Sequence, residues 1–152
     1  MKINIFQIVK NSKDDFDPII KDFIKMSSRY ATVQVHSLFN NSIAKAQSAG
    51  QEQSHKAYNE LYMPKLSSGY NIALDVLGKQ VDSFEFSKIL DNKLEVNFFI
   101  GGAYGFNEEF LKACHTTLSL SNLTMAHKIA NVVLIEQIFR ALCIQNNHPY
   151  HK

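Results

Sequence analysis

The chain has 152 residues, enough for one domain with its own core and too few for two ordinary ones. Hydrophobic residues make up 45% and charged residues 20%, a globular balance that argues against disorder. A net charge of +2 is too small to mark a bulk-electrostatic nucleic-acid binder.

The opening MKINIFQIVKNSKDD turns polar and acidic by Asp14, which fits neither a secretory signal nor a membrane span. Within it, Ile3 to Val9 reads as a buried strand. Asp14 to Ser28 places Phe16, Ile19, Ile20, Phe23 and Ile24 at helical spacing, with Pro18 tolerable in the first turn. Tyr30 to Leu38 alternates as a strand does. Ser42 to Leu66 is polar and predicts a helix, and Tyr70 to Val76 predicts a third strand closed by Gly78. A short helix over Ser83 to Leu90 precedes a fourth strand, Leu94 to Ile100, which runs into Gly101. Glu108 to Cys114 is a short helix, Thr117 to Leu120 a short strand, and Thr124 to Ile144 the longest helix. Strand–helix alternation of this kind implies a single α/β domain over residues 1–152, with a mostly parallel sheet flanked by helices.

The final helix is apolar nearly all round. Ile129, Val132, Val133, Phe139 and Cys143 mark one face, while Ala130, Leu134, Ile138, Ala141 and Leu142 spread over the rest. Such a helix is covered on more than one side, by a second subunit or by burial within one. Cys114 and Cys143 match no zinc or redox spacing, so reduced thiols in a cytoplasmic protein are expected.

Ligands in open parallel sheets collect beyond the carboxyl ends of strands. Three turn-like segments fall at such ends: LDVLGK (74–79), IGGAYGF (100–106) and LSLSNLTMAH (118–127). A Gly-Gly turn alone is weak, and it fits neither the dinucleotide nor the triphosphate glycine pattern. Three such loops at one edge, without a lysine or arginine cluster, suit a purine and a sulfonium better than a triphosphate. Ser121 or Thr124 is placed to cap the last helix. His127 reads as a hydrogen-bonding residue at that helix start.

The series LDVLGK, FIGGAYGF, LSLSNLT-x-x-H, EQIFRA (136–141) and NHPYHK (147–152) resembles the RlmH family. These are the ribosomal RNA large-subunit pseudouridine N3-methyltransferases of the SPOUT, or α/β-knot, superfamily. The resemblance covers essentially the whole chain and is tightest from Leu94 onward. It implies S-adenosylmethionine as cofactor, a C-terminal trefoil knot, a homodimer, and a pseudouridine of 23S rRNA in the 70S ribosome as target. Carried over by motif, the cofactor positions are Leu74, Gly102 and the run Ser121, Asn122, Leu123, Thr124, Met125 and Ala126. Two departures stand out. The family often has Gly-Gly-Pro-Glu-Gly where this chain has Gly-Gly-Ala-Tyr-Gly, and the family's Pro-His pair is Ala126-His127 here.

Methyl transfer from a sulfonium is an in-line displacement, so positioning supplies much of the acceleration. The N3 proton of pseudouridine must also leave, which calls for a base or a field favouring the anion. His151 with Tyr150 is expected to contact the target base, and Arg140, His148 and Lys152 to bind RNA. Arg140 is also spaced to pair with Glu136 one turn earlier. Pro149 disrupts any helical spacing of His148 and His151, so no metal is expected. The alternatives are a ribosome-binding module without chemistry, a nucleotide-dependent enzyme using the glycine turn, and a SPOUT enzyme with another RNA target.

Overall fold

The computed structural model describes residues 1–11 and 13–152. Among them, five strands form one parallel sheet in the order β2-β1-β4-β3-β5. The strands are β1 (Lys2–Gln7), β2 (Thr32–Ser37), β3 (Tyr70–Gln80), β4 (Glu95–Ile100) and β5 (Thr116–Ser119). β1 is buried from Ile3 to Gln7 and β4 from Val96 to Ile100. That continuous burial follows from helices covering both faces of a parallel sheet.

Side-chain alternation divides the core in two. Ile3, Ile5, Val96 and Phe98 pack with α4 (Ser83–Leu90) and α6 (His127–Gln145). α1 (Asp17–Ser27), with Pro18 in its first turn, lies beside them, where its Phe23 meets Phe139 of α6 at 6.0 Å between ring centroids. On the other face, Phe6 and Phe99 pack with Tyr58 and Tyr62 of α3 (Gln51–Tyr62) and Phe110 of α5 (Glu108–Ala113). The start of α4 is fixed by a capping box in which Asp82 accepts from the Glu85 amide and Glu85 from the Asp82 amide.

A polar ladder crosses the sheet interior. Register places Asn97 beside both Asn4 and Asn71. Asn4 Nδ2 donates to Asn97 Oδ1 at 2.8 Å, and Asn97 Nδ2 donates to Asn71 Oδ1 at 2.9 Å and to the Ser68 carbonyl at 2.8 Å. His36 Nε2 reaches Asn4 Oδ1 at 3.2 Å. A slip of register would leave these buried amides unpaired, so the ladder fixes strand alignment as well as satisfying itself.

Three expected elements differ. The helix expected over Ser42 to Leu66 is two helices, α2 (Asn41–Ala49) and α3, followed by a 3-10 turn over Met63–Ser67. The break is at Gly50, whose φ of +125° no helical residue adopts. The third strand does not close at Val76 or Gly78. Leu74 and Lys79 both pair with Leu118, so residues 75–78 loop out while the strand resumes to Gln80. A Cβ on Gly78 would stand 2.6 Å from the Leu118 carbonyl carbon, which is why glycine returns the chain to β5. Finally, α6 begins at His127 rather than Thr124. Its N-cap is Ala126, without a side-chain bond, so neither Ser121 nor Thr124 caps it. Ser121 Oγ instead accepts from the Leu123 amide at 3.0 Å, closing a turn inside the loop.

The apolar surface of α6 is also divided. Phe139 and Cys143 are buried within the subunit, whereas Ile129 is 39% exposed and Val132 and Val133 are half-buried. No helix is long and apolar enough to cross a membrane among the described residues.

Candidate functional site

The loops after β3, β4 and β5 enclose a cavity of ≈ 400 Å³, within the range of about 300–1,000 Å³ typical of small-molecule sites. The β3 bulge supplies Leu74, Asp75 and Val76, and the glycine turn supplies residues 100–103 and 105. Leu120 to Ala130 closes the third side. Of the residues assigned to the cofactor by motif, Leu74, Gly102, Ser121, Leu123, Thr124, Met125 and Ala126 line it. Asn122 does not. It points to β3, where its Oδ1 accepts from Gln80 Nε2 at 2.7 Å.

Each loop is held by its own chemistry. Asp75 Oδ1 accepts from the Leu77 amide at 2.9 Å, shaping the bulge. The glycine turn closes with the Gly105 amide donating to the Gly102 carbonyl at 3.0 Å. Beneath it, Tyr62 donates its hydroxyl to the Ile100 carbonyl at 2.7 Å. Burial pushes the Tyr62 phenol well above the ordinary range, so it remains a donor. The glycine at 102 serves the packing behind the turn: a Cβ there would meet Tyr58, not the cavity interior alone.

At the start of α6, His127 lines the cavity and its buried Nε2 has no hydrogen-bond partner among the described residues. Burial, then the nearby Lys128 cation, lower its pKa, so a neutral imidazole borders the cavity. Lys128 turns away and pairs with Asp14, which holds that carboxyl below the usual range. The cavity suits S-adenosylmethionine on three counts. Leu74, Ile100, Leu120 and Met125 give it apolar walls, Asp75 places a carboxylate for a cationic group, and His127 Nε2 is free to bond a polar edge.

The tail residues lie elsewhere. Arg140 pairs with Glu136 through its Nη2 and, at 3.1 Å, its Nε. Tyr150 donates to Glu136 Oε1 at 3.0 Å and lies under the Arg140 guanidinium, 4.8 Å from its ring centroid. Burial first, then the Glu136 contact, raise the Tyr150 phenol, so it too is a donor. His151 Nδ1 is 3.3 Å from Arg140 Nη1, and its ring meets Phe84 edge-on at 4.8 Å. His148 Nδ1 accepts from the Tyr150 amide at 3.2 Å. Lys152 is exposed. Thus Arg140, His148, Tyr150 and His151 form one cluster, and none of them lines the cavity. Arg140 lies ten residues along α6 from Ala130 at the cavity wall, about 15 Å at 1.5 Å per residue.

The supporting residues Tyr58, Tyr62, His55 and Gln47 were not singled out from sequence. Tyr58 and Tyr62, one helical turn apart in a polar segment, were the available signal. Cys114 is pushed up to about 12 by burial, and neither cysteine lines the cavity. No group of three metal-ligating side chains is gathered among the described residues.

A family model described as "Predicted SPOUT methyltransferase" matches residues 1–151. The chain is 67% identical over 152 residues to ribosomal RNA large subunit methyltransferase H of Aliarcobacter butzleri (strain RM4018), covering 100% of each. It is 48% identical over 152 residues to the protein of the same name from Campylobacter concisus (strain 13826), again covering 100% of each. The solved SpoU methyltransferase AviRb from Streptomyces viridochromogenes, in complex with the cofactor AdoMet, is more remote. It aligns with 97% of this chain and 61% of its own, at 10% identity and a TM-score of 0.46.

Proposed function

The chain belongs to the SPOUT methyltransferase family, and from that premise we propose that it methylates N3 of a pseudouridine in 23S rRNA on the assembled ribosome. The observation that carries this reading is the cavity built by three strand-end loops, largely apolar, lined by Asp75 and by His127, whose buried Nε2 has no partner among the described residues. S-adenosylmethionine, when bound, supplies an electrophilic methyl group.

The chain's own residues do the rest. Leu74, Ser121 and Leu123 to Ala126 fix the donor, and the glycine turn forms the facing wall. Tyr150 and His151 meet the target base. Tyr150 donates a hydrogen bond, and His151 accepts or relays the N3 proton. Arg140, His148 and Lys152 grip phosphate and sugar.

Within one chain the tail cluster is about 15 Å from the cavity wall along α6, too far for His151 to touch a base placed there. An antiparallel pairing of two α6 helices brings the C-terminal half of one beside the N-terminal half of the other. Ile129, Val132 and Val133 offer the apolar surface for it. On this reading the protein is a homodimer, and the partner subunit's Tyr150 and His151 complete each site. The trefoil knot implied by the resemblance belongs to the same reading.

Calorimetry with S-adenosylmethionine and transfer of tritiated methyl groups to ribosomes lacking the modification test the proposal together. Saturable binding with label entering large-subunit RNA is expected. Binding without transfer would leave a ribosome-docking module instead.

A further inference from the structure

The donor loop is gripped from behind by the α2–α3 pair. Tyr104, at the crest of the 101–105 turn, is bound at both ends. His55 Nε2 lies 2.9 Å from the Tyr104 carbonyl oxygen, and the Tyr104 hydroxyl donates to the Gln47 carbonyl at 3.3 Å. A carbonyl oxygen only accepts, so the proton is on His55 Nε2. Gln47 Nε2 donates in turn to the Tyr58 hydroxyl at 2.7 Å, and Tyr58 is the ring pressed against Gly102. Residues 100, 102 and 104 are therefore each tied to α2 or α3, through Tyr62, Tyr58, and the His55–Gln47 pair.

The economy of this arrangement points to a role beyond folding. Tyr104 is 39% exposed and belongs to neither core cluster, so its bonds add little to the core. What they hold is a turn that the Gly105 amide closes onto the Gly102 carbonyl, with Ala103 exposed within it. Residues 100–103 and 105 line the cavity, while Tyr104 itself does not. It acts through its neighbours.

We propose that Tyr104 and His55 are positioning residues that clamp the glycine turn in the shape that accepts the methyl donor. The inference rests on the cofactor reading above. Loss of the clamp leaves the fold intact and makes donor binding pay for ordering the turn.

The test is calorimetric titration of S-adenosylmethionine into the full chain and its variants, with melting temperatures measured alongside. His55→Ala with Tyr104→Phe removes both bonds while keeping the ring. Donor affinity should fall about tenfold, 1.4 kcal/mol, while the melting temperature shifts by no more than about 2 °C. His55→Gln keeps a side-chain N–H at similar reach and should recover most of the single His55→Ala loss. If the double variant binds as the parent does, or if melting and affinity fall together and His55→Gln rescues neither, the clamp is wrong. If the parent itself fails to bind the donor, the cofactor reading fails first, and the two failures are told apart.

Discussion

The Tyr58 ring lies against the bare face of Gly102, so closely that a Cβ on Gly102 would stand 2.6 Å from both its Cζ and its hydroxyl oxygen. Tyr58 is 1% exposed, so it has no room to retreat. Gly102→Ala should therefore displace the turn, weakening S-adenosylmethionine binding and costing about 1–3 kcal/mol of stability as an overpacked site does. Adding Tyr58→Leu frees space behind the turn and should restore part of the binding. Calorimetry on the single and double variants decides the point. No recovery would mean that the added methyl obstructs the cavity itself.

Asn97 occupies the centre of the buried amide ladder, 2% exposed, with bonds to Asn4, Asn71 and the Ser68 carbonyl. Asn97→Ala strands polar groups on both sides. A loss of about 2–3 kcal/mol in urea unfolding is expected, several times the effect of an exposed substitution such as Gln51→Ala. An equal effect from the two variants would show that the ladder is not what aligns the strands.

The tail and the cavity should separate by mutation. Deleting Pro149 to Lys152 removes Tyr150 and His151 but no cavity-lining residue, so donor affinity persists and methylation stops. Mixed dimers offer a sharper version. A tail-deleted subunit paired with a cavity-defective one, carrying the bulkier Gly102→Val, contains one intact composite site and should regain activity that neither homodimer has. Failure of the mixture to recover would place the tail in its own subunit's site.

Acid should weaken the protein in a defined window. Burial first, followed by the Lys2 and Lys65 charges, lowers the His36 pKa below its ordinary 6.5. His127 is lowered in the same direction by burial and Lys128. Both histidines are held neutral in the fold. Their contribution is complete above about pH 6.5, the unfolded value, and is lost as pH falls through the depressed folded value. Melting temperature should thus drop on acidification below about 6.5, less steeply in His36→Gln. Donor affinity should follow His127 in the same range and become flatter with pH in His127→Gln. A pH-independent affinity in the parent would remove His127 from the site.

How much of this was visible beforehand depended on how local the signal was. The alternating and continuous apolar runs marked all five strands, because burial on both sheet faces writes itself into consecutive residues. The three loops were legible through their small residues and their place after strands. The divided helix was not. Gly50 in a polar, alanine-containing segment leaves the helical pattern almost unbroken. Nor was the bulge over residues 75–78 readable, since it exists only because Leu74 and Lys79 share one partner on β5. The braces beneath the glycine turn are contacts 38 to 57 residues apart in sequence, which no spacing rule reaches. Of the residues expected at the tail, Arg140, His148, Tyr150 and His151 lie together, yet their distance from the cavity follows from the length of α6 and from its packing.

The most direct measurement is tritiated methyl transfer to 70S ribosomes and to naked 23S rRNA, followed by digestion and identification of the labelled nucleoside. Label is expected in a single N3-methylpseudouridine of 23S rRNA from 70S ribosomes, with naked RNA a poor substrate because a charge of +2 gives little affinity without a shaped ribosomal site. Label in a different nucleoside, or equal transfer to both substrates, would contradict it.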